Sequence, residues 1–282
     1  MNTSPTTVAF QGVLGAYSHQ ACQEACPDAK AIPCNTFEGV IAAVKNGKAD
    51  IAMLPVENST YGRVADIHSL LPDSGLHIVG EHFVRVHINL MAKKGVKLEG
   101  VKSAMSHTVL LGQVRRFLKN HDIAPVAGPD TAGSAQSVAA SNNMEMGALA
   151  SEMAAKIYGL EILAHHIEDN HHNTTRFLVM SPEQNFPQNG SDEFITTFVF
   201  RVRNIPAALY KGMGGFATNG VNMVKLESYM IEGSFTATQF YADVIGHPDD
   251  PALKRALEEL EYFKSNLDIL GVYKADKFRQ TA

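Results

Sequence analysis

The chain is short of cysteine, of long apolar runs and of positive charge, and each shortage narrows what it can be. Its 282 residues include three cysteines, Cys22, Cys26 and Cys34, all near the N-terminus. Cys22 and Cys26 stand at helical i,i+4 spacing, but no second ligand pair follows at zinc-site spacing. Structural thiols are therefore expected, and no metal. No apolar stretch approaches the roughly 18 residues of a membrane span. Residues 1–5 are too short and polar a stretch for a secretory signal, so a cytoplasmic location is expected. A formal charge of −5 gives no general attraction to nucleic acid or to an anionic membrane. An anionic substrate would need local donors. The GxGxxG and P-loop lysine patterns are also missing, so no nucleotide cofactor is expected.

What is present fits a globular protein: 45% apolar, 19% charged, 22 Gly and 12 Pro. The length exceeds one typical core, which predicts two or three domains. Thr7-Val8-Ala9-Phe10 reads as a first strand, followed by a Gly-rich turn and a helix through about Ala25. Such a turn aims backbone N–H groups at a carboxylate or carbonyl, or is simply a tight turn. Phe37, Val40, Ile41 and Val44 have helical spacing, and Ile51 to Val56 form a buried-strand run. Asn58 and Ser59 then lie where open α/β sheets place ligands. Gly62 allows close backbone approach. Asn58 and Ser59 also suit the capped start of a helix over 64–71.

A second α/β block follows a strand-rich stretch over 76–93. Its strands are expected at 101–105, 124–127 and 146–150. Ser106-His107 opens a helix through about Asn120, Asp130-Thr131-Ala132 opens the next, and Ser151-Glu152 opens a third. The hydroxyls of Ser106, Thr131 and Ser151 are N-cap material at those corners. Adjacency does not make Ser106-His107 a nucleophile–base pair, which needs spatial geometry and an orienting third group. His165, His166, His171 and His172 fall within eight residues. Neighbouring histidines point apart and no carboxylate or cysteine completes a ligand set, so they read as solvated loop residues.

Asn173-Thr174-Thr175-Arg176-Phe177 leads into an apolar, β-compatible run. On a strand Asn173, Thr175 and Phe177 share one face, with Thr174 and Arg176 on the other. An amide, a hydroxyl and a ring in a row suit a pocket that orients a small polar molecule and excludes water. Arg176, facing away, reads as a brace or ion-pair partner, or as a carboxylate binder. Residues 181–191 are polar and rich in Pro, Gly and Asn, which marks a linker. Beyond it the pattern is βαββαβ, the ferredoxin-like split unit, with its third strand expected from Phe235 to Ile245. Gly212, Gly214, Gly215 and Gly220 lie in or beside its first helix and predict close packing against a neighbour.

The Asn-x-Thr-Arg-Phe run at 173–177 and the Pro-x-Glu-Asn-Ser run at 55–59 resemble prephenate dehydratases. Ser106-His107 and Asp130-Thr131-Ala132 stand at corresponding places and in the same order. The family usually has Pro after Ser-His, where this chain has Thr108. The resemblance implies an α/β fold of two lobes, like type II periplasmic binding proteins, with a cleft. Lobe one would be 7–77 with 166–180, and lobe two 78–165. It implies that Thr175 is catalytic and that prephenate is the substrate, with no cofactor. Asn58, Ser59, Gly62, Ser106, His107, Thr131, Ala132, Asn173, Arg176 and Phe177 would form the substrate site.

After a linker at 181–193, residues 194–275 resemble an ACT domain, an α+β module that binds amino acids at subunit interfaces. The family's Gly-Ala-Leu stretch appears as Ala207-Ala208-Leu209, and its Glu-Ser-Arg-Pro stretch as Glu227-Ser228-Tyr229-Met230. L-Phenylalanine is the implied effector, with Ala207, Ala208, Leu209, Asn222, Glu227 and Ser228 as its site. A homodimer or homotetramer is implied as well. Arogenate dehydratase and a non-catalytic ligand-binding regulator are the alternatives.

Overall fold

The computed structural model describes residues 6–230 and 237–280. The expected strand start at Phe235 and the leader reading of residues 1–5 lie outside the described residues. The chain divides into two compact units, Met1–Arg63 with Phe83–Phe177, and Val64–His82 with Leu178–Ala282. Among the described residues no helix is long and apolar enough to cross a membrane.

The first unit opens with β1 (Thr7–Gln11), α1 (Tyr17–Ala25), β2 (Lys30–Cys34), α2 (Phe37–Lys45) and β3 (Ile51–Asn58). β1 pairs parallel with both β2 and β3, and parallel neighbours need helical crossovers, which α1 and α2 supply. α2 starts where the Thr36 hydroxyl accepts from Gly39 N, and it buries Val40, Ile41, Ala43 and Val44. β4 (Gly62–Arg63) folds back antiparallel onto β3. α3 (Ala65–Leu70) follows and is entered from Val64 with no side-chain cap. Asn58 and Ser59 therefore do not cap it.

The chain continues through β5 (His77–Arg85), β6 (Asn89–Ala92), β7 (Ser103–Ser106), α4 (Thr108–Gly112), α5 (Arg115–Asn120) and β8 (Ala124–Ala127). Next come α6 (Thr131–Ala140), β9 (Met146–Ala150), α7 (Glu152–Tyr158) and β10 (Glu161–Ala164). The second sheet of this unit has the order β10-β6-β9-β7-β8. β7 runs parallel to β8 and β9, while β6 is antiparallel to β9 and β10. This repeats the plan of the first sheet, a central strand between two parallel neighbours. β11 (Thr174–Ser181) returns to lie beside β3.

Two expectations are corrected here. The single helix expected from Ser106 to Asn120 is broken into α4 and α5 at Gln113 and Val114. Gly112, a poor helix former, ends α4, and the Gln113 carbonyl accepts instead from Asp169 N at 2.6 Å. The caps also differ by one residue. His107 and Asp130, not Ser106 and Thr131, cap α4 and α6, while Ser151 caps α7 as expected.

In the second unit β12 (Phe194–Val202), α8 (Ala208–Thr218), β13 (Met223–Met230), β14 (Ala237–Ile245), α9 (Pro251–Glu261) and β15 (Lys264–Lys274) follow in βαββαβ order. The sheet order is β13-β14-β12-β15, antiparallel throughout. Phe198, Phe200, Phe216, Leu253, Ala256 and Leu260 form its core with both helices. α8 packs closely on α9: a Cβ on Gly215 would lie 2.8 Å from Glu259 Cβ and 3.1 Å from the Ala256 carbonyl oxygen.

Candidate active site

The site grows from the end of β3 and the start of β11. β3 ends in Asn58, and its backbone then turns sharply through residues 59–61. The Asn58 Oδ1 accepts from Thr60 N and Tyr61 N, both at 3.0 Å, an Asx-type turn. Its Nδ2 donates to Asn173 Oδ1 at 2.7 Å and to Thr175 Oγ1 at 3.0 Å. Two donors and two acceptors are used, so the amide has one orientation only. Asn173 is 1% exposed, and its own Nδ2 donates to Gln113 Oε1 at 2.8 Å. A relay thus runs Gln113, Asn173, Asn58, Thr175.

Thr175 stands at its end, half-buried. Its oxygen accepts from Asn58, which leaves its own proton free to be donated elsewhere. Accepting an N–H also makes a hydroxyl a better donor, because hydrogen bonds in a chain polarise one another. Ser59 ties the same corner to β11: its Oγ donates to the His172 carbonyl at 2.8 Å and accepts from Thr174 N at 3.0 Å. Gly62 adopts φ +79° with open space around it. It opens β4 and pairs with Asn58 across the turn.

The remaining predicted residues are placed as follows. Phe177 is buried, and so are Thr174 and Arg176 on the other face of the strand. Arg176, on the opposite face, is 2% exposed and donates from Nη1 to Glu57 Oε1 at 2.8 Å. Ser106 is fully buried and its hydroxyl donates to the Leu149 carbonyl at 2.8 Å, so it secures the β7–β9 region. His107 accepts from Val109 N at 3.3 Å through Nδ1. Thr131 is the first residue of α6, half-buried, and Ala132 after it is fully buried. Among the described residues no hydrogen bond joins Ser106, His107 or Thr131 to the Asn58–Thr175 relay.

Gln113 is the residue that sequence reading missed. It carries no motif, and the signal beside it is Gly112, which disfavours continuation of the helix. The histidine run also gains a partner from elsewhere. All four histidines are exposed, and His166 stacks on His87 with ring centroids 4.0 Å apart. His87 Nδ1 lies 3.0 Å from Glu168 Oε1, and Ile88 N donates to Glu168 Oε2 at 2.9 Å. Burial pushes the Glu168 carboxyl up, but these two hydrogen bonds, with its own backbone N–H and the His87 charge, outweigh it and hold the group below the usual carboxylate range. Burial likewise raises the Tyr17 phenol, with the Glu168 charge adding to it. Tyr17 donates to the His87 carbonyl at 2.7 Å.

The predicted effector residues lie in the second unit. Ala207 has φ +60° at the N-cap of α8. Ala208 is buried and Leu209 packs against the core. The Asn222 carbonyl accepts from Ile245 N at 2.9 Å. Glu227 and Ser228 lie on β13, the edge strand, and Lys225 Nζ is 3.5 Å from Glu227 Oε1.

Residues 8–185 match the prephenate dehydratase family. The chain is 50% identical over 273 residues to the bifunctional N-acyl-homoserine lactone acylase/prephenate dehydratase of Komagataeibacter europaeus, covering 97% of each chain. It is 36% identical over 290 residues to the chloroplastic arogenate dehydratase/prephenate dehydratase 1 of Arabidopsis thaliana, covering 98% of this chain and 74% of that one. The crystal structure of Arthrobacter aurescens prephenate dehydratase in complex with L-Phe superposes with a TM-score of 0.86 at 30% identity, covering 95% of this chain and 90% of that one. The chain belongs to the prephenate dehydratase family.

Proposed function

We propose that the enzyme converts prephenate to phenylpyruvate in phenylalanine biosynthesis, with Thr175 easing the departure of the ring oxygen. The bond from the ring to its carboxylate breaks, and CO2 leaves. Its electron pair enters the ring, which becomes aromatic, while the C–O bond breaks with its pair on oxygen. With one proton that oxygen leaves as water. A threonine hydroxyl is a weak acid, so it helps best through a hydrogen bond that strengthens as charge builds on the leaving oxygen. The observation that carries the reading is the 3.0 Å bond from Asn58 Nδ2 to Thr175 Oγ1, which directs the Thr175 proton away from Asn58. The departing carboxylate gains from an apolar, water-poor surrounding, and the buried Phe177 is suited to supply one.

Thr175→Ala should lower kcat by about 100-fold or more with a small change in KM, the size seen when one transition-state donor is removed. Phenylpyruvate formation measures it, and normal turnover would overturn the assignment. Arogenate, which carries an amino group for the keto group, belongs in the same assay, because relatives at 36% identity carry both names. The relative at 50% identity is named as an acylase too, so N-acyl-homoserine lactone hydrolysis is the third arm.

The domain reading is a catalytic region at 7–180, a linker at 181–193 and a regulatory ACT domain at 194–275. L-Phenylalanine as effector is supported by the related structure solved with it and by the βαββαβ order of the tail. Calorimetry on the full-length protein should record phenylalanine binding, and absence of heat would end the regulatory reading. A cytoplasmic homodimer or homotetramer completes the proposal, and sedimentation measures the oligomeric state.

A further inference from the structure

Tyr61 is half exposed, yet its hydroxyl donates to the Val109 carbonyl on α4 at 3.2 Å, 48 residues away. Its backbone N–H is held by Asn58, the residue that orients Thr175. Space for the phenol exists because residue 112 is glycine: a Cβ on Gly112 would stand 3.0 Å from Tyr61 Oη. Gln113, next after Gly112, holds Asn173, and Asn173 holds Asn58. The contacts close a circuit from Asn58 through Tyr61, α4, Gln113 and Asn173 back to Asn58. One arm of the circuit, Gln113–Asn173, is buried. The other, Tyr61–Val109, is exposed. A bond open to water exchanges readily with solvent and contributes little net energy. It is the arm that can open and reclose without unfolding anything.

We infer that Tyr61 is a positioning residue that latches the β3–β4 turn to α4, holding Asn58 in place and retaining the bound substrate. The latch acts on Thr175 through Asn58 and contributes no chemistry of its own. It rests on the proposed reaction for its substrate, but the joint itself is defined by the four hydrogen bonds above.

The test uses the full-length enzyme with Tyr61→Phe, which removes one oxygen, and Gly112→Ala, which displaces the phenol while favouring helix. Each variant should lower kcat/KM roughly threefold to tenfold, the worth of one modest hydrogen bond, at an unchanged melting temperature. The double variant should be no worse than the worse single one, because both remove the same contact. In the Thr175→Ala background, adding Tyr61→Phe should speed prephenate dissociation by a similar factor. Hydrogen exchange supplies a readout that needs no activity: the amides of residues 60 and 61 and of α4 should exchange faster in Tyr61→Phe. Unchanged exchange, or a rate that falls only in step with melting temperature, would overturn the latch. Faster exchange in an enzyme that neither binds nor turns over prephenate would keep the latch and remove the proposed substrate.

Discussion

Gln113 and Asn173 are 60 residues apart in the chain, and their side-chain amides meet at 2.8 Å in a buried setting. Gln113 reaches this position because α4 stops short. Its Oε1 fixes which way the Asn173 amide faces, and that in turn fixes Asn58.

Gln113→Leu should leave the Asn173 Nδ2 donor without this acceptor, a cost of about 1–3 kcal/mol for a buried polar group. The amide would then be free to turn over, and kcat should fall about tenfold or more for roughly that energetic reason. Gln113→Glu keeps an acceptor at the same place and should stay more active than Gln113→Leu. Steady-state kinetics on the pair checks the order, and equal activity would show that the relay does not govern Thr175.

Arg176 tests which of its two sequence readings holds. Its side chain is 2% exposed and lies 2.8 Å from the partly exposed Glu57 carboxylate. As a brace, Arg176→Met should destabilise the fold by about 3 kcal/mol, the low end for breaking a buried ion pair. Urea melts measure this. A large rise in KM at wild-type stability would instead mark Arg176 as a substrate carboxylate binder.

Ala207 occupies a left-handed conformation, φ +60°, at the start of α8. Glycine adopts this region freely, whereas a Cβ costs about 1–2 kcal/mol there. The resemblance that places Gly-Ala-Leu at this point thus has a physical reason. Ala207→Gly should raise stability by about 1 kcal/mol, less the added chain entropy of glycine. A lowered melting temperature would contradict it.

Glu168 predicts a pH effect. Its folded pKa is depressed, so its contribution to stability is complete above the unfolded carboxyl value, about 4.3, and is lost as pH falls through the folded value. The stability difference between wild type and Glu168→Gln should therefore be constant near neutrality and shrink below about pH 4. Denaturant melts across that range check it, and a difference that stays flat down to pH 3 would refute the assignment.

The fold was legible where pattern is local. Val40, Ile41 and Val44 announced α2, and the βαββαβ order of the tail could be read strand by strand. Asn58, Asn173 and Thr175 were legible because a strand end and an alternating strand each predict a facing direction. The break at Gln113 was not legible. It depends on a carbonyl finding Asp169 N across 56 residues, which no periodicity records. The caps slipped by one because His107 and Asp130 compete with the hydroxyls beside them, and only backbone direction decides between neighbours. Arg176 could be assigned to a face but not to a partner, since Glu57 belongs to another strand.

Thr175 and Asn58 are separated by 117 residues. During synthesis from the N-terminus, β6 through β10 and their helices are complete by Ala164, before β11 has been made. Contacts of such long range form late, after the loop they close has lost its freedom. The Asn58–Thr175 bond therefore cannot form until residues 173–177 have been made and lie beside β3. A nascent chain halted just short of that segment carries Asn58 and Gln113 but neither Asn173 nor Thr175, the side chains that join them into one relay.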